Sequence, residues 1–84
     1  MQNKNQGIIV YGTKWCYDTR RALSVMDRYQ VAYQYIDIDS DQDAAKYVEL
    51  VNRGFRSVPT IIFPDGSLLV EPSDSELKKK LGVV

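Results

Sequence analysis

The chain has 84 residues, 44% of them hydrophobic and 26% charged, which suits one domain whose small core must use most of its apolar side chains. Eleven Lys and Arg balance eleven Asp and Glu, so the net charge is zero and no broad basic face for nucleic acid or an anionic membrane is implied. With no histidine and a single cysteine, a His-based metal site, a Cys–His pair, a Ser–His triad and an internal disulfide are all excluded.

The polar opening MQNKNQG has no apolar segment behind it of secretory-signal length, and no apolar run reaches the roughly 18 residues of a spanning helix. The chain is therefore read as a cytoplasmic protein forming one domain over residues 1–84, with residues 1–6 a frayed end. IIVY, Ile8 to Tyr11, is a short β-branched run bounded by Gly7 and Gly12 and reads as a buried strand. A helix is expected from about Cys16 to Tyr29, with Ala22, Met26 and Tyr29 on its inner face. AYQYIDI, Ala32 to Ile38, alternates like a second strand. Asp41 or Ser40 caps the next helix, Ala44, Val48 and Val51 mark its inner face, and NRG stops it.

VPTIIF, Val58 to Phe63, reads as a strand with Pro59 at its start, because proline has no N–H for a ladder. The PDG turn then returns Ser67 to Val70 as a hairpin strand. Ser73 caps a last helix with Glu76 three residues on, Leu77 and Leu81 face inward, and Gly82 ends it. The order is β-α-β-α-β-β-α. The first β-α-β should be parallel and the last hairpin antiparallel, giving an α/β fold with a mixed four-stranded sheet flanked by three helices.

KWCYDTRR carries the chemistry. Cys16 follows a strand and opens a helix, where unpaired backbone N–H groups and the helix dipole favour thiolate over thiol. Lys14, Arg20 and Arg21 lie close in sequence, and the Thr19 hydroxyl is placed to donate to the sulfur. Asp18 opposes these effects if it faces the sulfur. Trp15 is either packing at the strand end or a wall of a groove beside Cys16. DIDSDQD has carboxylates at alternate positions, but neither calcium-loop frame has the required Gly and Glu, so no metal site is expected. Lys78 to Lys80 read as a solvated face at a helix C-terminus.

VYGTKWCYDTRRA at the end of the first strand, with FRSVPTIIFPDGS in the second half, resembles the glutaredoxins, and among them the monothiol, mycoredoxin-like forms. The likeness runs from about Gly7 to Leu81 and implies a thioredoxin-like fold. It implies that Cys16 is the nucleophile and that Thr19 stands where dithiol members have a second cysteine. Thr19, Lys14 and Arg20 would then tune the thiolate. Pro59 matches the family's cis-proline, and Val58 would offer its backbone to an extended thiol peptide. Trp15 and Tyr17 flank that groove, Arg56 falls near the place of a glycyl carboxylate, and Ser73 and Asp74 match the segment holding a γ-glutamyl end.

The sequence also departs from the family pattern. Thr13 stands where the family has a lysine. Glu71-Pro72 replaces a Gly-Gly pair. Tyr17 and Asp18 replace the Gly-Phe of forms that carry an iron–sulfur cluster, so no cluster is expected. The resemblance implies a monothiol thiol–disulfide oxidoreductase with no permanently bound cofactor, acting with glutathione or another low-molecular-weight thiol as co-substrate. Its partners would be that small thiol and protein mixed disulfides, with neither nucleic acid nor membrane, and it would act as a monomer in electron transport and redox homeostasis. The other reading is a thioredoxin-fold module that binds a peptide or partner without turnover.

Overall fold

The structure is a computed structural model that describes residues 7–83; the expected frayed end at residues 1–6 lies outside the described residues. Strands β1 (Ile8–Gly12), β2 (Tyr33–Asp37), β3 (Thr60–Ile62) and β4 (Leu68–Val70) alternate with helices α1 (Tyr17–Arg28), α2 (Gln42–Val51) and α3 (Asp74–Leu81) in the expected order. They form one sheet in the order β2-β1-β3-β4. The β1–β2 pair is parallel, with Val10 opposite Tyr35 and Gly12 opposite Asp37. Strand β3 runs antiparallel to both β1 and β4.

Strand alternation divides the core between two faces. Val10 and Ile61 point to one face, where they pack with Ala22, Val25 and Met26 of α1, Leu77 of α3 and Phe63. Tyr11 points to the other, against Ile38 and the Ala44, Ala45 and Val48 face of α2. Full burial of Met26 is worth about 1.5–3 kcal/mol by itself.

Helix α1 and strands β2, β3 and β4 are slightly shorter than their sequence patterns, whereas β1 extends one residue further, through Gly12. Cys16 and Tyr29 are the caps of α1 rather than members of it. Strand β3 begins at Thr60, just after the cis Val58–Pro59 bond, since Pro59 has no N–H to give to a ladder. The Asn52 side chain donates to the Val48 carbonyl at 2.9 Å and to the Thr60 hydroxyl at 3.0 Å, so the residue that stops α2 also ties its end to β3. Lys78 and Lys80 are less free than expected. Lys78 lies over the Tyr29 ring, and Lys80 lies over Phe63 and pairs with Asp65 at 3.1 Å.

Candidate active site

The site is built where β1 runs into α1. The Cys16 N–H closes a turn onto the Thr13 carbonyl at 3.3 Å. Cys16 then takes extended φ and ψ of −80° and 121° as the N-cap residue, and its carbonyl accepts the Arg20 N–H at 3.1 Å. No side chain caps this helix. The first-turn N–H groups are left for whatever sits at the tip, and the Cys16 sulfur is there. The thiol is half-buried and donates to the Val58 carbonyl at 3.8 Å, which brings the helix tip against the residue preceding the cis-proline. Pro59 itself is buried, and its carbonyl accepts the Glu71 N–H at 2.9 Å.

Thr19 does not play the part expected of its hydroxyl. It is 0% exposed, its Oγ1 has no hydrogen-bond partner, and it makes no bond to the sulfur. Its side chain lies directly on Gly12, where any Cβ would overlap it. The residue in the second-cysteine place is therefore a packing residue in this state. Its hydroxyl is unpaired, and Thr13 Oγ1 and Tyr35 Oη are likewise buried without partners. Burial pushes the Tyr35 phenol up, and the neighbouring carboxylates of Asp37 and Asp39 add to this.

The other expected residues are divided among several jobs. Trp15 is 72% exposed, and its indole N–H donates to Asp39 at 2.8 Å, which pins it to the loop after β2 as an exposed wall beside the site. Tyr17 is also exposed, with the Arg21 guanidinium 5.8 Å from its ring centre. Lys14 is exposed, and neither it nor Arg20 makes an ion pair among the described residues. Arg56 pairs with Glu49 at 3.1 Å, so an incoming carboxylate must compete for it. Ser73 accepts the Glu76 N–H at 3.0 Å, and its own N–H donates to the Glu76 carboxylate at 2.8 Å. That capping box occupies one of the donors expected to hold a γ-glutamyl carboxylate. The Asp74 and Ser75 N–H groups remain at the helix start.

Several contributors had weak sequence signals. Arg21 pairs with Asp18 at 3.5 Å and Asp74 at 3.2 Å and reaches the Pro72 carbonyl at 3.4 Å, clamping the starts of α1 and α3 together. Asp18 therefore faces Arg21 and not an open sulfur. A glycine at a strand end does signal close backbone approach, and Gly12 was readable in that way. The acidic run is consumed locally. Asp37 accepts the Asp39 N–H at 3.0 Å, Asp39 holds Trp15, and Asp41 caps α2 through the Ala44 N–H at 3.0 Å. Among the described residues no group of three or more His, Cys, Asp or Glu side chains is arranged to hold a metal ion.

Residues 8–69 match the family model described as Glutaredoxin. This chain belongs to the glutaredoxin family. A protein of Mycobacterium tuberculosis strain H37Rv named "Putative glutaredoxin Rv3198A" is 40% identical over 74 residues, covering 88% of both chains. Mycoredoxin 1 of Corynebacterium glutamicum is 35% identical over 74 residues, covering 88% of this chain and 91% of its own. Among solved structures, a buckwheat glutaredoxin in complex with glutathione superposes with a TM-score of 0.69 at 24% identity, covering 93% of this chain and 72% of the other. The fold of this glutaredoxin is thioredoxin-like. Its family activity is thiol–disulfide oxidoreduction, in which glutaredoxins use glutathione or a similar thiol as co-substrate. None of its described helices is long and apolar enough to cross a membrane.

Proposed function

We propose that this glutaredoxin reduces mixed disulfides between proteins and a low-molecular-weight thiol by a one-cysteine cycle through Cys16, acting as a monomer in the cytoplasm. The observation that carries this reading is the placement of the only cysteine, half-buried at an uncapped helix start and 3.8 Å from the Val58 carbonyl. The thiolate is the nucleophile in thiol–disulfide exchange, and a helix N-terminus stabilises it electrostatically.

In the first step the Cys16 thiolate attacks the small thiol's sulfur in the mixed disulfide. A bond forms between Cys16 and that sulfur, the old S–S bond breaks, and the protein's sulfur leaves as a thiolate that takes a proton from water. A second small thiol, deprotonated, then attacks the adduct and leaves as the small-molecule disulfide, returning Cys16 as thiolate. In the sum one incoming small thiol replaces the protein's sulfur in the disulfide: the protein's sulfur is reduced to a thiol, the incoming thiol's sulfur is oxidised to the disulfide, and no second protein cysteine is needed. During the adduct stage the small thiol lies along Val58 and Pro59 between Trp15 and Tyr17, with carboxylates directed to Arg56 and to the Ser73–Asp74 helix start. The occupied Ser73 N–H and the Glu49-paired Arg56 mean that a thiol with different carboxylate placement from glutathione is a serious competitor as co-substrate.

The test is turnover of a small mixed disulfide with glutathione, and in parallel with mycothiol and bacillithiol. Wild-type protein should exceed the Cys16→Ser blank by at least about 10³-fold with one of them. Wild-type rates equal to the blank with every thiol would reduce the protein to a binding module.

A further inference from the structure

We infer that the outer face of α1 is a docking groove for an acidic segment of the protein whose disulfide is reduced. The inference rests on the one-cysteine cycle above and names the substrate class it serves. A groove of about 430 Å³ runs along this helix from Tyr17, the residue after Cys16, to Arg28, with Arg20 and Ser24 between and the buried Val25 beneath. Three arginines and one carboxylate, Asp74, line it. Arg21 neutralises that carboxylate and also pairs with Asp18. Arg20 and Arg28 are exposed and make no ion pair among the described residues. In a chain of zero net charge, this groove presents two uncommitted guanidinium forks on the helix that Cys16 opens.

Spacing selects the occupant. Arg20 and Arg28 stand about 12 Å apart along the helix axis, at about 1.5 Å per residue. An extended peptide covers that separation in three to four residues at about 3.3 Å each, so that it can offer a separate acidic side chain to each fork. Arg20 lies about 6 Å along the chain axis from Cys16, or about two extended residues. A segment leaving the mixed disulfide at Cys16 therefore meets Arg20 with its side chain about two positions from its cysteine, and Arg28 with one about six positions away, on the same face of the extended chain. Asp or Glu at those positions would be held by charge-assisted bonds, with the exposed Tyr17 ring against the intervening residues.

The experiment compares two peptides, each a mixed disulfide with whichever small thiol supports turnover. One carries Asp about two and about six residues to either side of its cysteine, and the other carries Asn at the same places. Wild type should favour the acidic peptide by about tenfold in kcat/KM at low ionic strength, and added salt should erase the preference. In the Arg20→Gln/Arg28→Gln variant the ratio should fall to near one. Because the readout is a ratio within one protein, a general loss of activity does not affect it. A wild-type ratio near one, with the Asn peptide turned over well, overturns the groove and leaves the thiol-transfer reading standing.

If neither peptide is turned over, the one-cysteine cycle is what fails. Docking is then read by fluorescence titration of Cys16→Ser with the reduced peptides. Tighter binding of the acidic peptide supports the groove, and equal binding overturns it. Binding of inorganic pyrophosphate to the same arginines without any peptide preference would assign the groove to a phosphate ligand and overturn the proposal.

Discussion

Two helices of this protein begin in opposite ways, although Arg21 clamps their starts together. At the start of α3, Ser73 and Glu76 exchange two hydrogen bonds and satisfy two donors. At the start of α1, Cys16 has the backbone conformation of a capping residue but no capping hydrogen bond. Sulfur is a weak acceptor where a hydroxyl or carboxylate is a strong one. A good cap is worth about 0.5–2 kcal/mol. The protein takes that stabilisation at α3, and at α2 through Asp41, and forgoes it at α1, the helix start that holds the cysteine. An uncapped helix tip is the less stable arrangement and the more reactive one, because its N–H groups remain available to a developing negative charge.

Cys16→Ser is the sharpest way to break that contrast. It should abolish turnover, by at least about 10³-fold, while giving α1 an oxygen cap. Thermal unfolding should show a protein stabilised by about 0.5–1 kcal/mol, and an unchanged or lower Tm would mean that α1 gains nothing from a better cap. Gly12→Ala tests the packing beneath the tip. Its Cβ must displace the Thr19 side chain, so it should cost about 1–3 kcal/mol in denaturant unfolding. Thr19→Ala in the same chain should recover part of that loss, and strict additivity of the two changes would show that they do not touch.

Ser73→Ala probes the capped start and should cost about 1 kcal/mol in the same unfolding measurement. The smallest effect concerns the far end of α3, where Lys80 reaches Asp65 in the PDG turn. The Ser67 hydroxyl and N–H, together with Lys80, hold the Asp65 carboxyl well below the usual carboxylate range. A depressed value means that the ionised form stabilises the fold at neutral pH and that this contribution fades as protons are added. Asp65→Asn should therefore lower Tm at pH 7, and the gap from wild type should narrow as the pH falls below about 4. A gap that stays constant with pH would show that the carboxylate charge is not what matters.

The readable parts of this molecule are those whose causes lie within a few residues. The Ser73–Glu76 capping box, the left-handed Gly82 after α3 and the PDG turn are short-range hydrogen-bond and backbone problems, and their residues announce them. The box even contained its own warning, since the N–H it consumes is one that a carboxylate ligand would have needed. The placement of Cys16 between a strand and a helix was legible for the same reason. Thr19 was misread because its hydroxyl was assigned to the nearest sulfur in sequence, when the helix turns that side chain onto Gly12. Trp15 and Asp39, Arg56 and Glu49, and Arg21 and Asp74 are partners across loops, and no periodicity marks them.

The sequence alone determined the order of elements, the family, the place of the single cysteine and the Ser73 cap, because alternation, capping chemistry and composition act over one or two turns of chain. Tertiary structure decided which charges are spent and which are left over. It joined Arg21 to Asp74 and Arg56 to Glu49 and left Arg20 and Arg28 without ion pairs among the described residues, along the groove on α1. Ion pairing depends on distances between side chains on different elements, and those distances exist only once the helices have packed on the sheet.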